Sequence, residues 1–111
     1  MTVTVKVLIP SKIAEAAQTT QYTATGVTTI IDKFTATNYS ASAATLSVNL
    51  VTSGDTAGNA NLITKTKTLQ PAEVYTFPEL VGQVLAPSGL ISTLAGTATA
   101  INIRASGREV S

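Results

Sequence analysis

Alternation of branched apolar residues with small polar ones is the feature that most limits what this chain can fold into. It opens Thr2-Val3-Thr4-Val5-Lys6-Val7, with the valines on one side of an extended backbone. The period returns where Leu46, Val48 and Leu50 oppose Thr45, Ser47 and Asn49. It returns again where Ile101, Ile103 and Ala105 oppose Ala100, Asn102 and Arg104. Successive side chains point to opposite faces in a strand, so these rows predict antiparallel sheet with one dry and one wet face. Thr and Ala are the commonest residues, followed by Val and Ser. The branched Cβ of Thr and Val fits a pleated surface and loses little freedom there.

Breakers interrupt the rows at short intervals: Pro10-Ser11, Thr25-Gly26, Asn38-Tyr39-Ser40, Ser53-Gly54-Asp55, Gln70-Pro71, Pro87-Ser88-Gly89, Gly96 and Ser106-Gly107. Strands are predicted near 2–9, 18–24, 28–38, 43–51, 62–69, 73–79, 90–95 and 99–106. Pro78 lacks an N–H for a ladder, so the strand before it ends there or runs along an edge. Ser11 to Gln18 is the one helix-like piece, too short to stand alone, and a helical turn and a plain loop both remain open. Short strands at such spacing predict an all-β fold, a single antiparallel β-sandwich of about eight strands, jelly-roll or immunoglobulin-like in order. At 111 residues the chain is read as one domain, residues 1–17 forming an N-terminal strand or arm and its connector. Among the five aromatic residues, Phe34 and one of Tyr75 or Phe77 are expected to anchor the core.

The same residues exclude much chemistry. Without cysteine there is no disulfide, thiol nucleophile or thiolate metal site, and without histidine the common Ser-His-Asp and His-metal arrangements cannot form. Seven basic residues against six acidic ones, scattered along the chain, give no positive patch for a nucleic acid. No apolar run approaches the roughly 20 residues needed to cross a bilayer as a helix. The alternating start reads as a strand and not as a secretion signal. No catalytic residue, cofactor or metal is therefore expected, and the protein is expected to be soluble and made in a cytoplasm.

Binding sites are the remaining candidates. The stretch from Asn49 to Thr64, with Gly54, Asp55, Gly58 and three Asn, looks at first like a phosphate cradle or a calcium turn. A phosphate loop needs Lys and a hydroxyl after its last glycine, but Asn59 and Ala60 follow Gly58. A calcium loop needs oxygens at alternate positions and a closing Glu, which is missing. The stretch reads as a strand connection long enough for Asp55 and Asn59 to touch a neighbouring subunit. Asp32 is placed on the face of Ile30 and Phe34, where it either pairs with a basic residue such as Arg104 or marks a wet spot. Arg108 and Glu109 stand on a solvated edge or in a contact between subunits. Asn38-Tyr39-Ser40 matches a glycosylation acceptor, which has no meaning without secretion, and Tyr39 is the one exposed aromatic for a sugar to stack on.

With the strands in place, the order of short phrases resembles that of small structural proteins of tailed-bacteriophage virions. The matching pieces are Tyr22-Thr23-Ala24, Thr37-Asn38, Ser47-Val48-Asn49-Leu50, Pro71-Ala72-Glu73, Gly89-Leu90-Ile91 and Ser106-Gly107-Arg108-Glu109. They cover the chain from about Gln18 onward, and Leu90 stands where an acidic residue often follows the glycine. The resemblance implies a non-enzymatic β-sandwich that decorates the outside of the head, its partners being the major capsid protein or other virion subunits. Assembly in the host cytoplasm and a homo-oligomer are expected with that role, a trimer suiting a local three-fold site and a dimer a two-fold one. A neck or tail component, a fibre base and a sugar-binding appendage are the rival roles. Because exposed strand edges pair readily, residues 1–9 with Val3, Val5 and Val7 are expected in a subunit contact.

Overall fold

A computed structural model describes residues 1–111 as an all-β fold of two antiparallel sheets. The strands are β1 (Val3–Ile13), β2 (Thr19–Thr23), β3 (Thr28–Asn38), β4 (Ala44–Val51), β5 (Leu62–Leu69), β6 (Val74–Thr76), β7 (Val84–Leu85), β8 (Leu90–Ala95) and β9 (Ile101–Val110). One sheet runs β1-β9-β3-β6, with β7 also paired to β3, and the other runs β2-β8-β4-β5. The chain thus passes back and forth between layers, and the dry faces meet in the middle. The molecule is elongated, about 46 Å in its longest dimension.

The alternating rows explain the core. Leu46, Val48, Ile101 and Ile103 are fully buried as their spacing predicts, but Ser47, Asn49 and Ala100, which the same spacing sets on the wet face, are buried as well. Phe34 and Phe77 are both fully buried, their rings edge to face at 5.0 Å, and Tyr75 stacks edge-on against Phe77 at 4.6 Å. Such aromatic pairs contribute beyond their buried area. Pro78 ends the β6 segment as expected, and the Phe77 N–H donates to the Phe34 carbonyl.

Five expectations need correction. The segment from Ser11 is not helical: β1 continues to Ile13, pairing Lys12 with Ile103 and Ile13 with Asn102. A ladder partner supplies hydrogen bonds that so short a helix cannot keep. Ser106-Gly107 is not a break, because β9 runs through it with neighbours on both sides, Lys6 opposite Gly107 in β1 and Ile31 opposite it in β3. A short strand, β7, lies between the predicted strands 73–79 and 90–95 where none is expected. Asp32 does not share a face with Phe34 in the way simple alternation requires, since a bulge between Ile31 and Lys33 makes it the extra residue. Finally, the valines of β1 are not on a dry face: Val3, Val5 and Val7 are 52%, 83% and 41% exposed.

The Asn49–Thr64 stretch is a self-bonded bend. Asn49 donates to the Gly58 carbonyl and to Asn61 Oδ1, while Asn61 donates to the Thr56 carbonyl and accepts from the Gly58 N–H. Its amides close a single 3-10 turn, Asn59–Asn61. Asn38 is likewise internal, donating to the Ser42 and Leu69 carbonyls, so the amide of the glycosylation match is not accessible.

Candidate functional site

The most distinctive surface is built on β1, the edge strand of its sheet. Thr2 and Ser111 exchange both backbone hydrogen bonds at 2.9 Å. Antiparallel pairs alternate between those that exchange hydrogen bonds and those that do not. Thr4 and Lys6 therefore bond Glu109 and Gly107, while the N–H and C=O groups of Val3, Val5 and Val7 point away from β9 to the open edge. One set of residues thus presents unpaired backbone groups along the edge and apolar side chains across the outer face.

That outer face is apolar well beyond β1. Val5 lies opposite Arg108, Arg108 opposite Ile30, and Ile30 opposite Val84, giving one row across four strands. Val84 is 58% exposed, and Ile30 and Val110 are half-buried. Arg108 lies in this row and holds the bulged Asp32 with three hydrogen bonds, Nε to Oδ2 at 3.0 Å and to Oδ1 at 3.3 Å, and Nη2 to Oδ1 at 2.9 Å. A two-pronged ion pair in solvent stiffens the row more than it stabilises the fold.

The opposite face of the same strands is fastened inward. The Tyr22 hydroxyl from the second sheet donates to Glu109 at 2.5 Å and lies 2.6 Å from Thr29 Oγ1, and Lys6 is 3.3 Å from the same carboxylate. The Tyr22 hydrogen bond and then Lys6 hold Glu109 below the usual carboxylate range, against the opposing effect of burial. Burial, and next Glu109, push the Tyr22 hydroxyl up to about 12.

Because the folded pKa of Glu109 is depressed, its contribution is complete above the unfolded value of about 4.3 and fades as pH falls through the folded one. Glu109→Gln is expected to lower stability by ~1 kcal/mol near neutrality and to flatten the loss of stability below about pH 4. Urea titrations of both proteins across the acid range measure this. An unchanged acid slope in the variant would show that the carboxylate is not held as described.

The eight residues nominated from sequence do not form one site. Val3, Val5 and Val7 stand together, with Arg108 beside Val5 on the outer face. Glu109 adjoins Arg108 in sequence but faces inward to Tyr22. Asp55 and Asn59 lie on the β4–β5 connection of the other sheet. Tyr39 is 51% exposed just beyond the far end of β3. Asp32 takes Arg108 as its partner, not Arg104. Ile30, Val84 and Val110 were missed. Simple alternation sets Ile30 on the face of Phe34, and only the bulge at Asp32 moves it to the outer face, while nothing local marks a two-residue strand such as β7.

Carboxylates are occupied elsewhere too. Glu15 accepts from Lys12 and Gln21, Glu73 from the Gln70 N–H, and Glu79 from Thr64 and Tyr75. Burial pushes the Glu79 carboxyl up, but the Thr64 hydroxyl, its own backbone, Tyr75 and Lys67 together hold it below the usual range. No three metal-binding side chains gather at one point. In the hollow of about 180 Å³ on the second sheet, the Gln18 and Asn49 amides are spent on internal bonds. Comparison with protein-family models, curated proteins and solved structures finds no match to this chain.

Proposed function

We propose that this protein is a non-enzymatic structural subunit of a tailed-bacteriophage virion, a decoration or cement protein on the outside of the head. Its working surface is the valine row of β1 with the open strand edge beside it. The observation that carries the reading is the exposure of Val3, Val5 and Val84 on one sheet face that also carries unpaired backbone. An apolar face beside a free edge costs a lone molecule solubility and favours one that works in an assembly. The partners are the major capsid protein or other virion subunits, and the protein self-associates as a trimer or a dimer.

The strand order supports a jelly-roll over an immunoglobulin-like sandwich. In the immunoglobulin order the first two strands share a sheet, whereas β1 and β2 lie in opposite sheets here. Jelly-rolls occur in viral capsid proteins and in lectins, so this support is analogy of fold. A lone exposed tyrosine, Tyr39, gives the sugar-binding alternative little to stack on.

Quantitative mass spectrometry of particles from the source phage tests the proposal. A copy number comparable with that of the major capsid protein is expected. The low count of a neck or tail ring, or of a fibre base, would move the protein to those positions, and its absence from particles would overturn the virion role.

A further inference from the structure

The geometry points to a two-fold dimer in which β1 of one copy pairs antiparallel with β1 of a second copy, centred on Val5. This deepens the assembly reading and rests on its premise that β1 is a contact surface. The occupant follows from the strand itself. Only Val3, Val5 and Val7 offer free N–H and C=O groups on the regular part of the edge. Beyond Val7 the strand is bulged, with register shifts between Val7 and Ile9 and between Ile9 and Lys12. Bulges turn an edge away from pairing, so the usable segment is 3–7.

A strand that fills this edge must place its own outward-pointing residues opposite these three. A second β1 does so over its whole regular length in one register alone. Val5 meets the partner's Val5, Val3 meets the partner's Val7, and Val7 meets the partner's Val3. Residues directly opposite each other in an antiparallel ladder share a face. The register that satisfies the hydrogen bonds therefore sets the two valine rows side by side, and one sheet runs through both copies.

Charge agrees with this choice. Lysine on an edge normally discourages pairing by repulsion. Here Lys6 points to the inner side, where Glu109 neutralises it at 3.3 Å, and in the register above it falls opposite the partner's Thr4 and not opposite its own copy. Arg108 is already held by Asp32. No unpaired like charge meets across the axis.

The absence of cysteine from these 111 residues gives a direct test with the intact chain. A Val5→Cys variant places two thiols opposite each other across the axis, with Cα atoms ~5.5 Å apart, within disulfide reach. Mild copper-catalysed oxidation at low micromolar concentration is expected to give a covalent dimer. Val3→Cys alone is expected not to cross-link, because its own copy lies about 13 Å along the ladder, but it should cross-link when mixed with Val7→Cys. Val5→Lys, checked for folding by circular dichroism, is expected to be monomeric in sedimentation equilibrium where the unaltered protein is dimeric.

Self-linking of Val3→Cys as efficient as that of Val5→Cys would overturn the register. A folded Val5→Lys that remains dimeric, or an unaltered chain that stays monomeric at high micromolar concentration, would overturn the dimer. The two readings fail separately. A monomer that coats phage heads sinks only the dimer, and a β1-linked dimer found on no particle sinks only the virion role.

Discussion

Truncation of Phe77 to alanine is expected to cost about 4 kcal/mol of unfolding free energy, a large share of the roughly 5–15 kcal/mol a domain of this kind possesses. The ring is fully buried and sits edge-on to both Phe34 and Tyr75. Its position just after β6 also ties that three-residue strand to the core through the Phe34 carbonyl. Phe34 is itself fully buried and the Tyr75 hydroxyl is held by Glu79, so neither neighbouring ring is free to fill the space. Urea denaturation followed by far-ultraviolet circular dichroism measures the change. The same truncation at Val84, which is 58% exposed, should fall within about 0.5 kcal/mol. Equal losses at the two positions would refute the placement of the core.

A comparable loss, ~3 kcal/mol or a fall in melting temperature of roughly 15 °C, is expected for Gly107→Ala. A Cβ on Gly107 would overlap the Ile30 carbonyl oxygen and would come within 2.9 Å of Leu8 Cδ1. The first of these is backbone, fixed by pairing in the centre of the sheet, and cannot turn aside as a long side chain would. The bulge at Asp32 is immediately adjacent, since Gly107 pairs with the residue that precedes it. Differential scanning calorimetry of the variant tests the claim. A melting temperature within a degree or two of the parent would mean that β3 and β9 do not approach as closely as described.

Gly107 also marks where local reading of the sequence ends. Ser-Gly is a turn signal in isolation, and only pairing on both flanks, from β1 and β3, makes it the middle of a strand. Period-two spacing did assign the inward faces of Leu46, Val48, Ile101 and Ile103, because alternation in a strand leaves just two choices. It failed for Val3, Val5 and Val7 because alternation separates two faces without saying which one a second layer covers. Asp32 and Arg108 are 76 positions apart, and a bulge is needed to bring them together. Neither fact has a local signature. The valines of the candidate surface were therefore legible as residues, whereas Ile30 and Val84 join them only through cross-strand register.

The neighbouring positions of β1 and β9 also govern how the molecule is made. Of the nine strands, the one made first finds its ladder partner in the one made last. Until then Val3, Val5 and Val7 hang on a nascent chain with no neighbour on either side. Loop closure over all seven intervening strands must precede that pairing, and all-β topologies of this kind fold in milliseconds to seconds where helical bundles need microseconds. Of these strands, the one with the exposed valine row is thus left unguarded longest during synthesis.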